Sequence, residues 1–126
     1  MEYTIKKDEK YLLLSLNEEK LDAVISPELK ADLIKYNQEG HKNIILNLEK
    51  VKYVDSSGLS AILVGNRICN DEGGKFVLSN LNPHVEKLIT ISQLQSVLNI
   101  QTTVEEAIEF VFLQELENDI KKDGND

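Results

Sequence analysis

The run Ile44-Ile45-Leu46 limits the fold more than any other stretch. Inside Asn43–Leu48 it puts three apolar residues in succession, so neither side of the extended segment is left for water. That is the pattern of a central strand covered on both faces. Such a strand needs helices above and below it, so the chain around it must alternate strands with helices. The flanking signals do alternate. Ser26 reads as an N-cap and Pro27 suits the first helical position, where its missing N–H costs nothing. Leu29, Leu33 and Tyr36 carry the helix, and Gly40 is its expected stop. A second helix is predicted from about Ser57 to Asp71. Gly73-Gly74 breaks it and leads into a strand over Lys75–Ser79. Asn82-Pro83 repeats the cap-plus-proline start for a short helix with Val85, Leu88 and Ile89. Ser96–Ile100 reads as a short strand. Thr103-x-x-Glu106 is a capping box that opens a last helix carrying Val104, Ala107, Ile108, Val111 and Leu116.

Upstream, Glu2–Leu16 reads as two strands around the polar turn Lys7-Asp8-Glu9-Lys10. The order β-β-α-β-α-β-α-β-α predicts an α/β domain. Its mixed sheet has about four to five strands and about four helices, with an antiparallel member among the N-terminal strands. The 126 residues suit one domain, expected over 1–117. The polar end, 118–126, is expected to fray or be disordered. A net charge of −8 leaves no basic stripe for nucleic acid and argues against anionic membrane surfaces. There is no apolar run long enough to span a bilayer. Met1-Glu2-Tyr3 lacks the layout of a signal peptide, and a cytoplasmic location is the expectation. The single cysteine, Cys69, allows neither an internal disulfide nor a cysteine-based zinc site. Set among Ile62, Val64 and Ile68, it reads as a small buried hydrophobe.

Function points to Tyr53-Val54-Asp55-Ser56-Ser57-Gly58-Leu59. This stretch follows the central strand and opens a helix. Two hydroxyls and a carboxylate therefore meet the first free N–H groups of that helix, at the end of the sheet where α/β sites gather. A phosphorylated serine there gains about −1.5 to −2 charge, and Asp55, with Asp22, makes the place more anionic still. Gly58 is expected to leave room for a kinase backbone or a nucleotide phosphate. Taken alone, Asp-Ser-Ser-Gly reads first as a common turn and N-cap sequence, and only its setting makes it specific. Along the helix, Ala61, Ile62, Val64, Gly65, Ile68 and Cys69 span the core side, and Ser60, Arg67 and Asp71 a polar stripe. Leu59 and Leu63 fall between, either core or a docking edge beside the serine. A hydrolase triad would need His41 or His84 near Ser56, and no Gly-x-Ser-x-Gly elbow exists. Neither a Walker loop nor Gly-x-Gly-x-x-Gly is present. Glu105-Glu106 and Glu115-Glu117-Asp119 read as solvated surface without calcium-loop spacing. No cofactor, metal or catalytic activity is expected.

Val51–Leu59, set behind Ile44–Leu48, resembles the signature of STAS domains, and most of all anti-sigma factor antagonists. These are bacterial proteins that release sigma factors by binding their inhibitor. Leu21-Asp22 before Ser26-Pro27-Glu28-Leu29, Gly73-Gly74-Lys75-Phe76-Val77, Asn82-Pro83-His84-Val85 and Thr103-Val104-Glu105-Glu106-Ala107 extend the likeness over residues 2–116. The resemblance implies that Ser56 is phosphorylated by an anti-sigma factor that is itself a serine kinase. It also implies that only the unphosphorylated form binds this kinase, and that a PP2C-type phosphatase restores it. The implied partner surface is Asp22, Asp55, Ser56, Ser57 and Gly58; the helix reading adds Leu59 and Leu63. Ser57 is expected to cap or support the helix. Two departures stand out: Ser92-Gln93 where the family often has Ser-Gly, and Asn17-Glu18-Glu19-Lys20 where a glycine usually precedes Leu-Asp. The rival reading is a non-switching STAS interaction module of a signalling assembly. The oligomeric state is left open between monomer and weak dimer.

Overall fold

The computed structural model describes residues 1–124. Five strands form one sheet: β1 (Tyr3–Lys7), β2 (Leu12–Leu16), β4 (Ile44–Asn47), β6 (Phe76–Ser79) and β7 (Asn99–Gln101). They lie side by side in the order β1-β2-β4-β6-β7. Only β1 runs antiparallel, pairing Tyr3 with Leu16 and Lys7 with Leu12; the other three pairings are parallel. A second, two-stranded sheet joins β3 (Lys20–Leu21) to β5 (Tyr53–Val54) in parallel. The helices are α1 (Ser26–Gln38), α2 (Ser56–Asp71), α3 (Pro83–Ile91) and α4 (Val104–Gly124). The expected mixed sheet and four helices are thus present.

Strand alternation divides the interior in two. Leu12, Leu14, Leu16, Ile44, Leu46, Phe76 and Leu78 face one way, onto Leu29, Leu33, Ala61, Ile62, Cys69, Val85 and Ile89 of α1, α2 and α3. The residues between them, Ile45 and Val77, face the other way, onto Ala107 and Val111 of α4. This is why Ile44-Ile45-Leu46 has no polar member: all three side chains are fully buried. Burying each contributes about 1.5–3 kcal/mol. Cys69 belongs to the larger core, and burial pushes its thiol up to about 12, so it is inert packing.

Several local expectations are revised. Ser26 is not the cap of α1 but its first residue; Ile25 holds the cap position, and the Ser26 hydroxyl donates to the Asp22 carbonyl instead. The helix α2 starts one residue early, at Ser56, because Asp55 and not Ser57 is its cap. Asn17–Lys20 is not a plain polar loop, since its last residue enters β3. On α4, Thr103 accepts from the Glu106 N–H as the capping box requires, but Leu116 is exposed and lies outside the core. That helix also runs past Glu117, the expected end of the domain, to Gly124. Residues 125–126, the rest of the expected tail, lie outside the described residues.

Candidate functional site

The short β3–β5 sheet builds the site. Lys20 pairs with Tyr53 and Leu21 with Val54, so the two strands end level with each other. Just beyond those ends come Asp22 and Asp55, and the Asp55 N–H donates to the Leu21 carbonyl at 3.2 Å. The chain then turns one way into α1 and the other way into α2. Two segments 32 residues apart thereby become one surface.

Asp55 locks that surface. One carboxylate oxygen accepts from the Gly58 N–H at 2.9 Å and caps α2. The other accepts from the Ala23 N–H at 3.1 Å and holds the Leu21–Ser26 loop against the helix start. Asp22 serves its own loop: its carboxylate accepts from the Val24 N–H at 3.1 Å, and its carbonyl from the Ser26 N–H at 2.9 Å. Both acidic residues are thus structural, and both leave negative charge at the same place.

Ser56 is the first residue of α2 and is exposed. Among the described residues its hydroxyl makes no hydrogen bond. Asp55 has already taken over the capping, so the Ser56 side chain is left free. Ser57 is half-buried beside it. Both line a hollow of about 300 Å³ together with Ala23, Ser26, Pro27, Lys30 and Ser60. The hollow contains no histidine: His41 stacks edge-on against Tyr36 at 6.5 Å, and His84 stands in the first turn of α3. Among the described residues, no histidine therefore stands by the Ser56 hydroxyl.

Gly58 is part of the site for a different reason than expected. It is buried, and a Cβ there would lie 2.8 Å from Leu21 Cγ and 2.9 Å from Val54 Cγ1, and closer still to the Leu21 carbonyl oxygen. The missing side chain makes room for β3 and not for an outside molecule. Leu59 and Leu63 are half-buried and both pack on the larger core. They leave only their flanks to a partner. The sequence reading missed Lys30 and Val24, and named Tyr53 only as the start of the motif. Lys30 faces the hollow from α1. Val24 is 84 % exposed in the loop that Asp55 holds, and Tyr53 is 54 % exposed on β5. Only the fold brings Lys30 and Val24 to this side of the molecule, because their spacing along the chain carries no motif.

Comparison with known proteins agrees with this geometry. The family model described as STAS domain matches residues 2–107. An anti-sigma-B factor antagonist of Staphylococcus aureus is 27 % identical over 85 residues, covering 68 % of this chain and 79 % of the relative. The Bacillus cell fate determinant SpoIIAA in its phosphorylated form superposes with a TM-score of 0.68 at 25 % identity, covering 87 % of this chain and 99 % of that one. The anti-sigma factor antagonist SpoIIAA in its unphosphorylated form gives 0.69 at 24 % identity over 87 % and 97 %.

Proposed function

The chain belongs to the STAS domain family, and we propose that it is an anti-sigma factor antagonist switched by phosphorylation of Ser56. The observation that carries this reading is the free, exposed hydroxyl of Ser56 on the first residue of α2, beside a carboxylate that already caps the helix. The names of its relatives supply the partner class, an anti-sigma factor. In the proposed cycle the partner is a serine kinase. The Ser56 oxygen forms the bond to the γ-phosphorus of ATP, ADP leaves, and the hydroxyl proton passes to a base on the kinase. A PP2C-type phosphatase returns the free hydroxyl by hydrolysis.

Electrostatics supplies the off signal. The neutral serine follows Asp55, whose neighbour across the level ends of β3 and β5 is Asp22, on a chain of net charge −8. A phosphoryl group adds about −1.5 to −2 charge to that spot. A partner surface that accepts a neutral hydroxyl beside two carboxylates meets like charge and an unpaired anion after modification, and the complex dissociates. The α2 N-terminus carries roughly half a positive charge, so the domain itself tolerates the new group. Asp22, Asp55, Ser57, Leu59 and Leu63 form the rest of the proposed contact, with Gly58 beneath it as a packing residue.

The test is phosphorylation and binding with the anti-sigma factor kinase of the same cell. ATP should label Ser56 alone. Ser56→Ala should hold the kinase whether or not ATP is present, and Ser56→Asp should bind it at least about tenfold more weakly. Label on another residue would end the site assignment, and equal binding by the two variants would end the switch.

A further inference from the structure

The hollow beside Ser56 contains a cation that the switch as described leaves idle. Lys30, on the first turns of α1, lines it together with Ser26, Ser57 and Ser60. It is half-buried, and among the described residues no carboxylate lies within ion-pair distance of its ammonium group. Lys7, Lys42, Lys52 and Lys121 pair with glutamates and Lys35 lies 4.7 Å from the Tyr36 ring centroid, whereas Lys6, Lys10, Lys20, Lys50, Lys75 and Lys87 share with Lys30 the lack of an ion-pair partner among the described residues. What sets Lys30 apart is its place: among the described residues that line the hollow it is the one cation, and it stands among four serines, a lining that suits an anion.

We propose that Lys30 seats the phosphoryl group of modified Ser56, which turns into the hollow and pairs with the Lys30 ammonium and the Ser60 hydroxyl. The inference rests on Ser56 being the modified residue. Ser56 and Ser60 are four apart on α2 and so share one helix face, the face that meets Lys30 across the α1–α2 seam. A phosphomonoester offers three acceptor oxygens, and an ammonium is a compact donor of three hydrogen bonds. The other charged groups at the site are the Asp55 carboxylate at the helix cap and the Asp22 carboxylate in the loop, and both disfavour a second negative charge. Lys30 offsets them. It keeps the phosphate dianionic at neutral pH and fixes it in one orientation, so the partner meets a single modified state. Lys30 is a positioning residue for that state and has no part in transferring the phosphoryl group.

The test needs no kinase. Phosphoserine is placed at position 56 during translation, and the intact chain is titrated by phosphorus NMR. Lys30→Gln should raise the second phosphate pKa by about half a unit or more, since an opposite charge within a few ångströms favours the charged form. Lys30→Arg should keep the wild-type value. Lys35→Gln, on the same helix but away from the hollow, should leave it unchanged. A Lys30→Gln titration within about 0.1 unit of wild type overturns the seat, and so does an equal shift from Lys35→Gln. If the titration is flat while the kinase still labels Ser56, the seat alone falls and the switch stands. A shift in a chain that no kinase labels supports the seat independently of the switch.

Discussion

At the scale of single residues, Asp55 and Gly58 explain why the serine is available. A cap must sit at the start of α2, and Ser56 would serve as one if nothing better preceded it. Asp55 takes that position, and its second oxygen also ties down the Ala23 N–H. The two roles separate by mutation. Asp55→Ala removes both and should cost about 1–3 kcal/mol in urea unfolding. Asn caps a helix about as well as Asp, so Asp55→Asn should recover most of that loss. It should still slow phosphorylation of Ser56, because its amide cannot accept from both N–H groups. Equal destabilisation by the two variants would refute the double role. Gly58→Ala should cost about 1–3 kcal/mol, the usual penalty of forcing a methyl group into a full space. Here the methyl would press on Leu21 and Val54; unchanged stability would show that α2 can lift off β3 freely. The sequence order alone put Ser56 at the junction of strand and helix, where the structure has it. It misread Ser57 as the cap, because Asp55 takes that position, and Gly58 as an open approach, because that reading depends on which neighbour fills the space. That neighbour, Leu21, is 37 residues away along the chain.

At the scale of elements, caps and apolar triplets carried most of the information. Asn82 accepts from the His84 N–H ahead of Pro83, as the Asn-Pro pair predicts. Ile44-Ile45-Leu46 lies in the middle of the sheet, as its lack of polar positions requires. The β3–β5 pair was not legible, since two-residue strands leave no periodicity to read. The extent of α4 was not legible either: its second half is polar, and composition does not show where such a helix stops. The family departure at Ser92-Gln93 acquires a physical meaning. Gln93 has φ +60°, in the left-handed region that favours glycine, immediately after the Ser92 C-cap of α3. Gln93→Gly should therefore stabilise the domain by about 0.5–1 kcal/mol, visible as a rise in the thermal midpoint of a few degrees. A fall in the midpoint would mean that the Gln93 side chain provides more than its backbone strain removes.

At the scale of the whole molecule, the site is an outgrowth of the scaffold and not part of its core. The main sheet is held on both faces by α1 to α4, whereas Ser56 and its hollow sit at the rim where the small β3–β5 sheet ends. A charge added there need not disturb the packing below. The phosphorylated and unphosphorylated forms of SpoIIAA share the fold of this chain, with TM-scores of 0.68 and 0.69. Phosphoserine at position 56 should accordingly shift backbone amide resonances in residues 22–30 and 55–60 and leave those of β4, β6 and α4 in place. The thermal midpoint should change by no more than a few degrees, because the helix dipole and the new charge attract by only about 0.3–1 kcal/mol at an exposed terminus. Resonance changes spread through the sheet would refute a local switch. They would require the partner to read a changed fold instead of a changed charge.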